Sequence, residues 1–267
     1  MNNILAKILD QKAIEIAALD RLALRRAAES SLAPRDFLTA LKPFSPAGHP
    51  RLIAELKRAS PSKGLLAPHL DLFEVAQIYA TGGAAAISVL TDEKFFLGKL
   101  ETMRELRFKH GLALPLLRKD FIIDESQIYE ARANGADAIL LIVAALPDFS
   151  HLCALHTCAR VLNLTVLVEV HDEQEAQIAQ NIPGLQLIGI NNRNLVTFDV
   201  TLATTERVRP IITPGITVVS ESGIFNAKDV SRMATANIDA ILVGEALVTS
   251  GDIAAKVREI SGVEVSS

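Results

Sequence analysis

From Leu52 onward the chain repeats one pattern: a short apolar run, a polar turn and then a longer stretch with helical periodicity. Eight apolar runs follow this pattern, at residues 52–56, 85–90, 114–117, 138–143, 165–170, 187–190, 216–219 and 240–243. They are rich in β-branched residues and apolar on both faces, which is typical of parallel strands buried on both sides. Strands that alternate with helices in this way predict an α/β protein.

Helix starts are marked in four of the connections, where a capping side chain precedes an acidic or amide residue by three positions. The pairs are Asp71 and Glu74, Asp124 and Gln127, Asp172 and Glu175, and Asn226 and Asp229. Eight strands with crossover helices can close into a barrel or stay open as a doubly wound sheet. The count of eight and the lack of a GxGxxG segment after the first strand favour a (β/α)8 barrel.

The first 48 residues fall outside the repeat and predict a helical extension packed on the barrel. Residues 3–28 have the pattern of one amphipathic helix, Pro34 starts a second helical piece, and residues 44–50 form a turn-rich linker. We therefore expect an extension over residues 1–48 and a catalytic barrel over residues 49–267, in one structural domain, because 267 residues suit a single large barrel. The extension is either a structural layer over one barrel end or a lid over the substrate mouth.

Composition and charge exclude several classes of function. Hydrophobic residues make up 49% and charged residues 22%, an ordinary globular balance, and the net charge of -4 without a long basic run gives no support for nucleic-acid binding. No apolar run reaches the ~20 residues needed to span a bilayer. Charged residues interrupt the N-terminal segment, so it has no signal-peptide pattern and we expect a cytoplasmic protein. We also expect a monomer, because the sequence shows no obligate partner.

The two cysteines, Cys153 and Cys158, lie close to His151 and His156 in the segment HLCALHTC. At ~100° per residue a continuous helix places His151 and Cys158 on one side and the other two on the opposite side. The four side chains cannot converge on one ion, so we expect buried thiols and no metal site.

Polar side chains stand at the ends of the predicted strands, where the functional groups of a barrel lie. They are Glu55 and Lys57, Lys119, Glu169, Asn191 and Arg193, Glu221, and Glu245 after Gly244. Any single pair, such as Glu55 with Lys57, can be a structural ion pair. Because a buried charge costs several kcal/mol unless it is paired, so many charges near one axis indicate a pocket for a charged ligand.

The loops after the seventh and eighth strands predict a phosphate site. Ser222 and Gly223 precede one helix, Gly244 opens another, and Ser60 with Lys63 can join them from the first loop. Glycine lets the backbone approach a ligand, and the N–H groups of a helix start bind anions. The alternative is that the glycines only allow tight turns.

These segments resemble the signature of one enzyme family. The segments are IAELKRASPSKG (53–64), VLTDEKFFLG (89–98), LRKDFI (117–122), QIYEAR (127–132), LVEVH (167–171), GINNRNL (189–195) and SESGI (220–224). In this order, and with a leading helical extension, they are similar to indole-3-glycerol-phosphate synthase of tryptophan biosynthesis. Phe95 and Ser126 stand where tyrosine is frequent in the family, and neither change removes a catalytic group.

The resemblance implies a carboxy-lyase that needs no cofactor or metal. Its phosphorylated substrate would be 1-(2-carboxyphenylamino)-1-deoxyribulose 5-phosphate, and the products would be indole-3-glycerol phosphate, carbon dioxide and water. By position in the motifs, Lys119 matches the general acid, Glu169 the general base and Lys57 a lysine near the substrate carboxylate. Our hypothesis is that cationic neighbours and partial burial lower the pKa of Lys119 toward neutrality. Which lysine serves ring closure and which serves dehydration stays open.

The remaining site residues follow from the same resemblance. Glu55 and Glu221 would orient the lysines and the sugar hydroxyls, and Asn191 and Arg193 would lie on the anthranilate side. Phe96 would line the pocket, and the phosphate would rest on Ser60, Ser222, Gly223 and Gly244.

Two other functions are alternatives to this synthase. A phosphoribosylanthranilate isomerase needs a carboxylate with a thiol or a second carboxylate at the strand ends, and no cysteine lies there. A non-catalytic partner module would have no need of Lys57, Lys119 and Glu169 together.

Overall fold

The computed structural model describes residues 4–42, 48–60, 64–67 and 69–263, with the side chain of Ser60 left out. Most of the predicted linker and Lys63 of the predicted phosphate site therefore lie outside the described residues.

Eight parallel strands close into a barrel, so the open doubly wound sheet is excluded. We number them β1 (Arg51–Leu56), β2 (Ala86–Leu90), β3 (Leu116–Lys119), β4 (Ala138–Ile142), β5 (Thr165–Val170), β6 (Leu187–Asn191), β7 (Thr217–Glu221) and β8 (Ala240–Val243). Each strand pairs with the next along the chain, and β8 pairs with β1. A short antiparallel hairpin of Ala59–Ser60 and Gly64–Leu65 follows β1.

Three strands extend further than the apolar pattern predicted. The strands β3, β6 and β7 continue to Lys119, Asn191 and Glu221. The ladder persists through these polar residues, since Leu90 pairs with Lys119 and Asn191 pairs with Glu221. The apolar pattern ends before these strands do, because their last inward positions carry charged or polar side chains. The backbone pairing continues, since it does not depend on the side chain.

The barrel interior is apolar toward the amino ends of the strands and charged toward their carboxyl ends. Inward-facing residues of the lower layers form one buried cluster, which includes Ile53, Leu117, Leu140, Leu167, Leu187, Val219 and Leu242. Residues two positions further along a strand face the same side. Glu55, Lys119, Glu169 and Glu221 therefore lie above this apolar floor, toward the carboxyl ends of the strands. The outward faces of the strands pack with the helices in a second, larger cluster.

The helices surround the barrel, and four of them begin where the capping pattern predicted. They are α1 (Ile4–Ala17), α2 (Arg21–Glu29), α3 (Phe37–Ala40), α4 (Leu72–Thr81), α5 (Glu93–Phe96), α6 (Leu100–Phe108), α7 (Glu125–Ala133), α8 (Phe149–Val161), α9 (Glu173–Ala179), α10 (Ala203–Val208), α11 (Ala227–Thr235), α12 (Glu245–Val248) and α13 (Ile253–Ser261), with 3₁₀ turns at Val143–Ala145 and Arg209–Ile211. Asp71, Asp124, Asp172 and Asn226 each accept hydrogen bonds from the first turn of a helix.

The N-terminal extension contains two helices where one was predicted over residues 3–28. The helix α1 ends at Ala17, and α2 begins at Arg21 because the Asp20 carboxylate accepts a hydrogen bond from the Ala23 N–H at 3.0 Å. An N-cap of this kind requires non-helical backbone at the capping residue, so the helix must restart there.

The extension reaches both ends of the barrel. The helix α1 lies at the carboxyl ends of the strands, where Lys12 is buried between Asp92 and Asp120. At the amino ends, Phe37 and Leu41 are fully buried against the interior cluster.

The cysteine and histidine segment belongs to α8, outside the barrel. Cys153 and Cys158 pack against the outer core as small apolar side chains, but they are only partly buried where buried thiols were predicted. His156 is buried, whereas the His151 ring lies 2.9 Å from the Ile123 carbonyl oxygen on the exposed side. Within the described ranges no cluster of three or more metal-binding side chains occurs, and no helix has the length and apolar character to cross a membrane.

Candidate active site

One cavity opens at the carboxyl ends of the strands, and the predicted site residues line it together. Its walls include Glu55, Lys57, Phe96, Lys119, Glu169, Asn191, Arg193, Glu221, Ser222, Gly223 and Gly244. Ser60 is the remaining predicted residue, and its side chain lies outside the described part of the chain.

Lys119 is at the centre of the charged layer. Its Nζ atom lies 2.7 Å from Glu169 Oε2 and 3.1 Å from Glu221 Oε2. The side chain of Lys119 is 13% exposed, and both carboxylates are almost fully buried. The amine is therefore aimed into the cavity between two acidic groups.

The predicted lowering of the Lys119 pKa was wrong. Burial does act to lower the pKa, but Glu169, Glu221 and Glu55 outweigh it and raise the pKa of Lys119 above its usual range. The barrel places carboxylates around the amine, and not the cations that the prediction requires. Lys119 therefore stays protonated through the neutral pH range and is available as an acid in its charged form.

The two buried glutamates have pKa values shifted in opposite directions. Burial raises the pKa of Glu221 to about 8, with repulsion from Glu169 adding to it and Lys119 opposing it. Burial acts to raise the pKa of Glu169 as well, but Lys119 and His171 outweigh it and hold that pKa below its usual range. Environments that separate the pKa values of two carboxyl groups in this way are typical of acid–base centres.

Gly189 makes room for Glu221, a role that the sequence analysis missed. A Cβ atom on Gly189 would lie 2.1 Å from Glu221 Oε1, so no other residue leaves this carboxylate in place. Gly189 pairs with Glu169 on one side and with Val219 on the other, which sets it at the level of the charged layer. The sequence showed only a glycine inside an apolar strand, which is a sign of close approach by another group.

Lys57 and Glu55 form an ion pair of 3.1 Å between Nζ and Oε1. A purely structural pair was the alternative, but both side chains line the cavity with Lys119 and Glu169. Lys57 is 17% exposed in its side chain, so its charge is accessible from the cavity. The pair therefore adds a second cation to the charged layer.

Backbone strain marks the loop after β7, where an anion site was predicted. Ser222 and Gly223 have φ angles of 66° and 83°, both in the left-handed region. The Asn192 side chain fixes this loop, because its Nδ2 donates to the carbonyl oxygens of Glu221 and Ser222 at 3.0 and 3.1 Å. Gly244 follows the neighbouring strand, β8, and is the N-cap residue of α12.

Glu245 raised a question in the sequence, because a carboxylate that faced the phosphate would repel it. The structure places Glu245 Oε2 at 3.8 Å from Arg193 Nη2. Asn191 Oδ1 accepts the Arg193 backbone N–H at 3.0 Å, which holds the turn after β6. The guanidinium of Arg193 thus offsets the charge of Glu245 in the wall of the cavity.

Apolar side chains form the opposite wall. The rings of Phe96 and Phe121 have centroids 6.1 Å apart, and Ile4, Leu5 and Ile8 of α1 line the same cavity. An aromatic substrate ring would be held between apolar groups here, with the charged layer beneath it.

Two further groups at this end of the barrel were missed by the sequence analysis. His171 lies between Glu169 and Glu175, and Lys12 joins α1 to Asp92 and Asp120. The signal for His171 was present, since it follows Glu169 by two residues and so shares its strand face. No local pattern distinguishes Lys12 from the exposed charges of an amphipathic helix.

The fold and the cavity define a (β/α)8-barrel enzyme with a lysine–carboxylate acid–base centre at the carboxyl ends of its strands. A family model described as "Indole-3-glycerol phosphate synthase" matches residues 5–260. The chain belongs to this family.

Similar proteins of the same description cover most of the chain. The one from Roseiflexus castenholzii is 48% identical over 280 residues, covering 98% of this chain and 99% of the relative. The one from Dehalococcoides mccartyi (strain ATCC BAA-2266 / KCTC 15142 / 195) is 52% identical over 212 residues, covering 79% of this chain and 81% of the relative. The chain is thus a carboxy-lyase of tryptophan biosynthesis, which converts 1-(2-carboxyphenylamino)-1-deoxyribulose 5-phosphate into indole-3-glycerol phosphate.

Solved structures of lower identity agree with the barrel fold. Thiamine phosphate pyrophosphorylase from Pyrococcus furiosus has a TM-score of 0.58 at 18% identity and covers 81% of this chain and 96% of its own. At this identity the likeness concerns the fold alone, because unrelated activities share this barrel.

Proposed function

We propose that Lys119 is the general acid of the ring closure, Glu169 the general base, and Lys57 the anchor of the substrate carboxylate. The observation that carries this assignment is the position of Lys119 Nζ, within 3.1 Å of both Glu169 and Glu221 and facing the cavity. An acid and a base in mutual contact, with opposed pKa shifts, fit a reaction that needs proton donation and proton removal in one site.

Ring closure begins when the aromatic carbon that bears the carboxylate attacks the ketone carbon. The ketone oxygen develops negative charge and takes a proton from Lys119. The raised pKa of Lys119 is compatible with this step, because the developing alkoxide is more basic than an amine. Lys57 holds the carboxylate so that the attacking carbon is aligned with the ketone.

Carbon dioxide then leaves, and its bonding electrons return to the ring. Loss of the new hydroxyl group as water requires a second proton from a lysine. Glu169 takes the proton whose removal completes the indole. Two protons are donated and one is removed, so each turnover takes up one proton from solvent as a carboxylate leaves as neutral carbon dioxide.

The phosphate would lie across the loops after β7 and β8, at the backbone of Ser222, Gly223 and Gly244, with Ser60 from the first loop. Ser222, Gly223 and Gly244 all line the cavity, and glycine lets the backbone approach an anion closely there. Arg193 and Asn191 flank the anthranilate end, and Phe96 covers the ring. That the enzyme is a monomer in the cytoplasm stays a prediction from the sequence.

The acid is tested by Lys119→Met, which keeps the length of the side chain and removes the proton. We expect kcat for indole formation, followed by absorbance, to fall by about 100- to 10,000-fold, with substrate binding retained. Lys109→Met is the matched control, because the Lys109 side chain is 66% exposed and pairs with Glu105 on the outer surface. Near-normal turnover in Lys119→Met would overturn the assignment.

The two lysines are separated by single-turnover experiments. A variant that cannot close the ring leaves the substrate unchanged, whereas one that cannot dehydrate accumulates a ring-closed intermediate. In Lys119→Met we expect no ring-closed intermediate. In Lys57→Met we expect a slower reaction whose rate still saturates at high substrate concentration. An accumulated ring-closed species in Lys119→Met would instead place Lys119 in dehydration.

A further inference from the structure

His171 is a buried ring between two carboxylates, one of which is the proposed base. Its Nε2 atom lies 3.2 Å from Glu169 Oε1, an ion-pair contact outside hydrogen-bond geometry, and its Nδ1 atom lies 3.0 Å from Glu175 Oε2. The His171 side chain is 11% exposed. Both ring nitrogens thus face carboxylate oxygens, and only the imidazolium form carries a hydrogen on each nitrogen.

The two oxygens of Glu169 have different cationic partners. Oε2 lies at 2.7 Å from Lys119 Nζ, and Oε1 lies on the side of His171. Lys119 must leave Glu169 to give its proton to the ketone oxygen. The base would then be a carboxylate buried without a counter-charge, which favours its protonated form, unless the contact on Oε1 persists.

Glu175 keeps the ring of His171 in place. Its Oε2 accepts the backbone N–H of His171 at 2.8 Å and contacts Nδ1 of the same residue. Asp172 in turn accepts the Glu175 backbone N–H at 2.8 Å at the start of α9. The predicted capping pair of Asp172 and Glu175 therefore connects the first turn of α9 to the active site.

We propose that His171, as an imidazolium, is a positioning residue that holds Glu169 ionised and oriented after Lys119 turns to the substrate. This inference rests on the proposed role of Glu169 as the base. His171 touches no reacting atom in this scheme and acts through Glu169.

The charges around His171 support its cationic state. Burial acts to lower the pKa of His171, but the two facing carboxylates, Glu169 and Glu175, outweigh it and raise that pKa to about 10. Glu169 belongs to β5, which His171 follows directly, and Glu175 belongs to α9. On the far side of Glu169, Lys119 from β3 and Glu221 from β7 complete the charged layer.

The test compares His171→Asn, which removes the charge, with His171→Lys, which keeps one. The acid limb of the kcat profile reports the pKa of the base in the substrate-bound enzyme, where Lys119 has turned to the substrate. Without the cation the pKa of Glu169 rises, so in His171→Asn we expect this limb to move up by about one pH unit. At neutral pH kcat should fall roughly 10- to 100-fold with KM changed less than about twofold. His171→Lys should bring the limb back toward its original position.

His151→Asn is the control, because His151 lies on the exposed side of α8 and contacts the Ile123 carbonyl. Circular dichroism and thermal unfolding establish that each variant is folded. The ring of His171, assigned by its absence in His171→Asn, should titrate near pH 10 in the wild-type protein by NMR.

The outcomes separate this inference from the proposed function. If Glu169→Gln is inactive but His171→Asn keeps an unshifted acid limb and normal kcat, the positioning role is wrong and the base assignment stands. If Glu169→Gln itself stays active, the base assignment fails. A ring of His171 that titrates near pH 6.5 would also overturn the inference.

Discussion

At the scale of single residues, the chemistry of the site depends on how Lys119, Glu169 and Glu221 share protons. Glu221 is the group whose pKa lies within reach of ordinary titration, at about 8. Its Oε1 atom is buried and makes no hydrogen bond to any described residue. Burial therefore makes this carboxyl group hold its proton more tightly than an exposed glutamate does.

The raised pKa of Glu221 makes a prediction about stability. A carboxyl group that binds its proton more tightly when folded stabilises the protein most below its unfolded pKa of about 4.3. That contribution is lost as pH rises from there through about 8. We therefore expect Glu221→Gln to exceed the wild-type free energy of unfolding slightly at pH 5, and on the order of 4 kcal/mol more at pH 9 than at pH 5.

Urea unfolding at the two pH values measures this difference. Glu206→Gln is the control, because Glu206 forms an exposed pair with Arg232 that stays charged over this range. A difference between Glu221→Gln and wild type that is the same at pH 5 and pH 9 would show that Glu221 is already ionised at pH 5.

The residue types of the site were predictable, and their protonation was not. Charges at strand ends indicated that Glu55, Lys57, Lys119, Glu169 and Glu221 meet in one pocket. Their pKa values depend on which charges become neighbours across the barrel, and sequence separation gives no measure of that. This is why the expected direction for Lys119 was wrong.

At the scale of elements, one buried lysine joins α1 to two loops of the barrel. Lys12 Nζ lies 2.8 Å from Asp92 Oδ2 and 2.9 Å from Asp120 Oδ1, and its side chain is 3% exposed. Asp92 caps α5, which carries Phe96, and Asp120 follows Lys119 directly. The same contact thus ties α1 to the loops after β2 and β3 that form the cavity wall.

We expect Lys12→Met to lower the free energy of unfolding by about 3–5 kcal/mol, because it leaves two buried carboxylates without this counter-charge. We also expect KM to rise several-fold, since Ile4, Leu5 and Ile8 of α1 line the cavity. Urea unfolding and steady-state kinetics measure the two effects. Loss of stability with an unchanged KM would assign α1 the role of a structural layer and exclude the lid.

Lys94→Met is the matched control for this experiment. Lys94 Nζ also joins α5 to α1, through Gln11 Oε1 at 2.6 Å, but the contact is exposed. Exposed polar contacts contribute little to stability, so both measurements should stay near the wild-type values.

At the scale of the whole molecule, the extension and the barrel share buried surface at both ends. Phe37 of α3 is fully buried in the cluster that fills the barrel interior. The Arg35 backbone N–H donates to Asp137 Oδ1 at 2.6 Å, next to the start of β4. These contacts favour the prediction that residues 1–48 and 49–267 unfold together as one domain.

Phe37→Ala tests this by leaving a cavity under the barrel, at a cost of about 3–5 kcal/mol. In one cooperative domain the single unfolding transition of the barrel should move to lower temperature, whether followed by near-UV or far-UV circular dichroism. Ile14→Ala is the control, because Ile14 is 67% exposed in α1. A separate early transition for the extension would contradict the single domain.

The sequence by itself determined the set of eight strands, the caps that start four of the helices and the residue types of the acid–base centre. These follow from local periodicity and from polar groups at strand ends, which are properties of neighbouring residues. Only the tertiary structure decided that carboxylates surround Lys119, that Gly189 leaves space for Glu221, and that Lys12 and His171 serve the site. Those features depend on distances between residues far apart in the chain, and such distances are set only when the barrel closes.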